Sequence, residues 1–157
     1  MAKNIFITGG SGQDCRILTI LLKKRNINLY VFYRKKKPFN VNGAKYIKNN
    51  LFNKVKLDKF FSKIKPDIVL HLASNNPSYA ENGYRTFFEQ NFLATKNIFD
   101  ATFKSNLKAK FIFCSSSQIF KKKNGTVKEK SNFFISSDYT KFRIKSDLMM
   151  LKYKKDK

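Results

Sequence analysis

FITGGSGQDC, residues 6–15, runs from an apolar, strand-like segment through a glycine turn into a helix-like one. A strand that enters a helix through such a turn makes an anion site, because backbone N–H groups at the helix start point outward and the helix dipole favours negative charge there. Gly9 permits the tight turn, and Gly12 lets the backbone approach a pyrophosphate. The third small position, where helix packs on strand, holds Cys15 instead of glycine. Gly9, Ser11, Gly12, Gln13 and Asp14 are therefore the first candidate cofactor contacts. A glycine turn without a ligand is the competing reading, weakened by the position of this turn at the first strand-to-helix junction.

Outward from that turn, short apolar strands alternate with longer amphipathic stretches, the pattern of βαβ units and a parallel sheet. KNIFIT (3–8) reads as a strand and QDCRILTILLKKR (13–25) as a helix, with Ile17, Leu18, Leu21 and Leu22 at helical spacing. NLYVFY (28–33) and AKYIK (44–48) read as strands, and KLDKFFSKI (56–64) as a helix stopped by Pro66. DIVLHLA (67–73) is an unbroken apolar run of the kind buried on both sheet faces. A loop with Pro77 and Gly83 leads to one long helix from about Tyr84 to Lys104. AKFIFCSS (109–116) is the fifth strand and YTKFRIKSDLMMLKY (139–153) the last helix. With no repeats and no Gly/Ser linker, residues 1–157 read as one domain. His71, at the end of an apolar strand, reads as structural, Cys15 and Cys114 as small buried residues, and Phe87, Phe88 and Phe92 as core.

Composition narrows the class. Hydrophobic residues make up 42% of 157, so the chain can build a core despite its charge. No apolar run approaches the roughly 20 residues of a membrane helix, and no signal segment precedes the first strand. Two cysteines are too few for a disulfide framework and lack metal-ligand spacing, which fits a reduced, cytoplasmic setting without a metal. The formal charge of +23 has two readings. A surface for nucleic acid or acidic membrane is one. Composition drift is the other and the better supported. Most of the basic residues are lysine, Asn, Ile and Phe are plentiful too, and the lysines are scattered rather than gathered on a helix face.

The end of the second strand bears on the cofactor. An acidic residue there would bind a ribose 2′-hydroxyl, whereas arginine accommodates a 2′-phosphate. Arg34 followed by lysines, with no acid, favours NADP over NAD, with a solvated basic loop as the alternative reading.

Several stretches in order resemble the extended short-chain dehydrogenase/reductase family, the NAD(P)-dependent sugar epimerases and dehydratases. TGGSGQD resembles the family's TGxxGxxG, and its Gln13–Asp14 pair resembles GDP-mannose 4,6-dehydratases. NNLFN resembles GDLTD, placing Asn50 where an Asp contacts adenine, followed by Leu51. KPDIVLHLAS resembles the signature that ends the fourth strand beside the cofactor, placing Leu72, Ala73 and Ser74 there. QNFLATKNIFDA places Asn91 at the family's asparagine. KFIFCSSSQIF and DYTKFRIKSD resemble the two catalytic segments.

The resemblance implies a Rossmann-type doubly wound parallel sheet in three α/β/α layers and transient oxidation of a hexose hydroxyl by a nicotinamide. It implies Tyr139 as base, Ser116 as the hydroxyl that hydrogen-bonds the reacting oxygen, and Arg143 at the position of a lysine that lowers the Tyr pKa. A tyrosine of ordinary pKa about 10 needs such a fixed cation to act at neutral pH. The implied partner is a nucleotide sugar, GDP-hexose slightly favoured, and the resemblance leaves room for a homo-oligomer. It also implies further strands and a smaller substrate domain, so the chain is expected to be an incomplete Rossmann domain with the fifth strand as an open edge.

Departures from the pattern bear on chemistry. Arg143 keeps the charge of lysine but is planar and bulkier. Gln118 stands where dehydratases carry a Glu, and an amide cannot take a proton. Asn50 replaces an Asp and Phe120 a Tyr. Two functions from different classes therefore stay open: an epimerase/dehydratase-type oxidoreductase, or a module that binds NADP(H) without turnover. A basic binder of nucleic acid or membrane surfaces is a weaker third.

Overall fold

Alternation along the first strand sets both faces of the sheet. In β1 (Lys3–Thr8), Phe6 enters one apolar cluster while Ile5 and Ile7 enter another, as the two-residue period of a strand requires. β2 (Ile27–Tyr33) divides in the same way, Phe32 to the first cluster, Leu29 and Val31 to the second. With β3 (Ala44–Lys48), β4 (Ile68–His71) and β5 (Lys110–Phe113), these strands form one sheet in the order β3-β2-β1-β4-β5. Every pairing is parallel.

The computed structural model describes residues 2–23, 25–35, 38–75, 84–121 and 126–155. The chain falls into two compact units, residues 1–74 with 95–114, and residues 75–94 with 115–157. The loop with Pro77 and Gly83 lies outside the described residues.

The first unit holds the sheet and has three layers. On one face α2 (Lys54–Ile64) and α4 (Ala94–Ser105) bring Leu57, Phe61, Ile98 and Ala101 against Phe6, Phe32 and Val69. Phe6 meets Phe32 and Phe61 edge-on at 4.3 and 4.7 Å between centroids, a geometry that adds to area burial. On the other face α1 (Gln13–Leu22) packs through Cys15, Leu18 and Leu22. This is the doubly wound α/β fold that the strand and helix pattern implies. α1 stops at Leu22 rather than continuing to Arg25. β5 ends at Phe113, and Cys114, whose N–H still donates to His71 O at 3.4 Å, is exposed rather than buried at the end of this edge strand.

The second unit contains α3 (Tyr84–Phe87), a π-helical stretch Phe88–Leu93, a 3₁₀ turn Ser117–Ile119 and α5 (Asp138–Lys155). The single helix expected from Tyr84 to Lys104 is thus broken by a π-helical stretch. Asn91 explains the break: its side chain accepts from Asn75 N at 2.7 Å and donates to Asn75 O at 3.0 Å, and its own carbonyl accepts from Ser146 Oγ at 2.9 Å. Such partners re-satisfy backbone groups that a widened turn leaves without regular bonds. α5 starts where Ser137 Oγ accepts from Thr140 N at 3.2 Å, a side-chain N-cap.

α2 is bounded by Asn53, whose side chain accepts from Lys56 N, and by Lys65, which is left-handed at φ 44°. Glycine is the usual residue at such a C-terminal position because it carries no Cβ. Lys65→Gly is expected to raise stability by about 0.5–1 kcal/mol, read from the urea midpoint; an unchanged or lower midpoint would contradict the strain.

Candidate functional site

The strand order places a topological switch point between β1 and β4, where open α/β sheets bind ligands at the carboxyl ends of their strands. The glycine turn follows β1 there. Gly9 has φ 80°, and a Cβ on it would come within 3.0 Å of Ala73 N, just past β4. Gly12 N donates to Gly9 O at 2.8 Å, closing the turn. Gly12 is the N-cap of α1 and, as glycine, brings no side-chain oxygen to the first N–H groups of the helix. Those donors and the positive end of the helix dipole fit a pyrophosphate.

Gly10, which the sequence reading passed over, proves as constrained as Gly9. Its N–H donates to Phe32 O at 2.8 Å, and a Cβ would lie 2.8 Å from that oxygen and 2.9 Å from Val31 Cγ1. Only the doubled glycine hinted at it. Cys15 is 1% exposed among the apolar residues beneath α1, so it fills a packing position, and burial pushes its thiol pKa up while the Thr19 hydroxyl partly offsets this.

Behind the turn runs a buried polar chain. Thr8 Oγ1 accepts from Ala73 N at 3.1 Å and lies 2.7 Å from His71 Nδ1, and His71 Nε2 lies 2.9 Å from Thr95 Oγ1. His71 thus joins β1 to α4. The other expected cofactor contacts of this unit line the same strand ends. Arg34 is exposed directly after β2; Leu72 and Ala73 are half-buried and Ser74 exposed after β4. Asn50 is exposed and accepts from Phe52 N at 3.1 Å, and the carbonyl of half-buried Leu51 accepts from Asn97 Nδ2 at 3.0 Å. A separate cleft of about 850 Å³ opens at the opposite, amino ends of β1, β4 and β5, lined by Lys3, Lys65, Lys104 and Lys108 together with Asn4 and Asp67. Two of these belong to helix ends: Lys65 ends α2, and Lys104 in the last turn of α4 pairs with Asp58. Basic residues at helix C-termini are ordinary dipole partners.

The second unit holds Ser116, Tyr139 and Arg143. Ser116 is half-buried, and its Oγ accepts from Gln118 N at 3.2 Å. Tyr139 is buried with its ring edge-on to Phe87 at 6.0 Å, in a cluster with Phe142, Phe88 and Phe92. Arg143, one helical turn on, is only 2% exposed. No described hydrogen bond joins Ser116 to Tyr139. The structure instead gathers a set that the sequence reading missed: Ser115 Oγ donates to Asp147 Oδ2, and Asp147 interacts electrostatically with Arg143. The spacing 139, 143, 147 on one helix face was the available signal.

Residues 5–157 match the NAD dependent epimerase/dehydratase family. The chain belongs to that family. Among relatives, the D-erythronate dehydrogenase of Haemophilus influenzae is 34% identical over 122 residues, which cover 74% of this chain and 38% of that protein. The dTDP-D-glucose 4,6-dehydratase of Dictyostelium discoideum is 30% identical over 132 residues, covering 75% and 30%. Among solved structures, the UDP-glucose 4-epimerase from Brucella ovis in complex with NAD superposes with a TM-score of 0.85 at 17% identity, covering 97% of this chain and 48% of that one. This likeness is one of fold. The chain spans less than two fifths of the length of the two relatives and about half of the Brucella enzyme. Among the described residues of this family member, no helix is long and apolar enough to cross a membrane.

Two outcomes check the geometry. Gly10→Ala is expected to cost about 1–3 kcal/mol through overpacking, as Gly9→Ala is through its backbone angle; urea unfolding at wild-type midpoints would contradict the fit. Asp147 supplies the second. Burial raises its carboxyl pKa, with the Ser115 hydrogen bond and the Arg143 charge pulling the other way. The folded chain then holds this proton more tightly than the unfolded one. Its contribution to stability is present at low pH and declines as pH rises from about 4 through the raised value. The stability difference between wild type and Asp147→Asn should decline over that range; a difference flat with pH would overturn it.

Proposed function

We propose that this chain is the cofactor-binding part of an NAD(P)-dependent nucleotide-sugar oxidoreductase of the epimerase/dehydratase type, its two units acting as one domain over residues 1–157. The observation that carries the reading is the turn Gly9–Gly12, set against Ala73 at the switch point of the sheet and opening α1 without a side-chain cap. Ser11, Gln13 and Asp14 join this turn in holding the pyrophosphate. Leu72, Ala73 and Ser74 border the cofactor after β4. Asn50 and Leu51 take the adenine end; with Asn50 Oδ1 engaged by Phe52 N, its amide can offer a donor where a carboxylate would only accept. Arg34 favours NADP over NAD, since a guanidinium matches a 2′-phosphate and repels nothing there.

A nicotinamide held beside these strand ends would supply hydride-accepting chemistry at a sugar carbon. The chain's own residues manage the proton. Tyr139 takes it from the hydroxyl being oxidised, Ser116 hydrogen-bonds that oxygen, and Arg143 supplies a fixed positive charge one helical turn from the base. Gln118 cannot take a proton, so a redox step without elimination of water suits this chain better than dehydration. The sugar is carried on a nucleotide. The Gln13–Asp14 pair favours a GDP-hexose, and a UDP-hexose is the alternative, in keeping with the name of the Brucella enzyme.

A second reading, binding without turnover, draws on the burial of Arg143, whose guanidinium faces protein rather than solvent. Fluorescence titration with NADPH and NADH tests what both readings share. Saturable binding is expected, tighter for NADPH, with Arg34→Ala weakening NADPH by about 10-fold or more and NADH little. No saturable binding of either sinks both readings. Turnover of GDP- and UDP-hexoses then separates them. Activity lost in Tyr139→Phe supports the assigned base, and unchanged activity in that variant refutes it.

A further inference from the structure

Among the described acids, Asp58 is half-buried like Asp147 but pairs with the Lys104 ammonium, whereas Asp147 takes a serine hydroxyl. The remaining described carboxylate contacts are surface ion pairs, such as Arg85 with Glu89 and Lys96 with Asp100, or pairings that tie strand and helix ends, such as Asp67 with Asn4 N. Asp147 is half-buried on α5, and its partners are two groups flanking the proposed chemistry. Ser115, the residue directly before Ser116, donates its hydroxyl to Asp147 Oδ2. Arg143, one helical turn before Asp147 and one after Tyr139, acts on the same carboxylate through space.

We infer that Asp147 is a positioning residue: its carboxylate ties the segment carrying Ser116 to the helix carrying Tyr139 and Arg143. Three facts converge on this. First, residues 139, 143 and 147 recur at i, i+4 and i+8, so base, cation and carboxylate share one face of α5. Second, Ser115 and Ser116 are consecutive, so fixing the Ser115 side chain restricts the backbone from which Ser116 projects. Third, Ser116 is itself braced by two hydrogen bonds from the following turn, Gln118 N to its Oγ at 3.2 Å and Ile119 N to its carbonyl at 3.3 Å. The clamp at Ser115 and the brace at Ser116 are adjacent, and loosening the first releases the second. The arrangement keeps hydroxyl and base in register without Asp147 touching the reacting atoms. This inference rests on the assignment of Ser116 and Tyr139 above.

Native-state hydrogen exchange on the full chain tests it, because the amides of Gln118 and Ile119 report the brace directly. Ser115→Ala and Asp147→Ala are each expected to speed exchange at those two amides about fivefold, while amides of Phe6 and Ile7 in β1 stay protected. The double variant should add nothing to either single one, as for one shared interaction, and Ser115→Thr, which keeps the hydroxyl, should restore protection. Should Asp147→Ala fold poorly, Asp147→Asn takes its place in the cycle with a smaller loss. Unchanged exchange in Ser115→Ala, additive single effects, or no rescue by Ser115→Thr overturns the clamp. Where turnover is measured, Ser115→Ala should lower kcat with KM unchanged, and a change confined to KM overturns the positioning role. NADPH titration and the Tyr139→Phe control run alongside. If those fail while the exchange cycle holds, the functional reading falls and the clamp stands; the reverse result removes only the clamp.

Discussion

At the end of β1 two neighbouring strands leave no room for a side chain. A Cβ on Gly10 would meet the carbonyl of Phe32 in β2, and one on Gly9 would meet the backbone of Ala73 beyond β4. Thr8 secures the second approach by accepting the Ala73 N–H, and His71 carries the connection on to Thr95 at the start of α4. The turn is thereby fixed on both sides, and the place where α1 begins follows from it. An anion site made of backbone donors needs such fixity, since donors that wander lose the advantage of being aligned in advance. This is how His71, the chain's single histidine, braces the candidate site from behind.

The chemistry assigned to the second unit depends on a different kind of constraint. There the backbone is bent by side chains: Asn91 holds Asn75 across a π-helical stretch, and Ser137 and Thr140 set the start of α5. Tyr139 is placed by aromatic packing against Phe87, and Arg143 is buried one turn later. A buried guanidinium needs a counter-charge nearby, and Asp147 supplies one. Cation and carboxylate thus lie one turn apart on the same helix.

Much of the architecture was legible in the residues. Strand and helix periods placed all five strands and the main helices, because each face of a buried sheet and the inner face of each helix must be apolar. What the pattern missed were ends and interruptions. α1 stops short of its lysines, β5 ends before Cys114, and the helix from Tyr84 changes to a π-helical stretch at Phe88. Ends depend on hydrogen bonds to residues distant in sequence, such as Asn75 for Asn91, and periodicity carries no record of them. Of the site, Gly9 and Gly12 were readable from local turn chemistry. Gly10 was not, since its role is contact with a strand some twenty residues away.

By itself, then, the sequence determined the order of elements, the parallel α/β class, the position of the glycine turn and the residue types offered to a dinucleotide. Those features follow from short-range rules: two-residue and 3.6-residue periods, glycine's tolerance of positive φ, and the charge of Arg34. Only the tertiary structure decided that Gly10 is sterically obligatory as well as Gly9, that His71 links Thr8 to Thr95, and that Cys114, unlike Cys15, is exposed. It also decided that Ser115, Asp147 and Arg143 form one set. Each of those depends on which atoms approach within a few ångströms across long stretches of chain, and steric exclusion and burial exist only once the chain has folded.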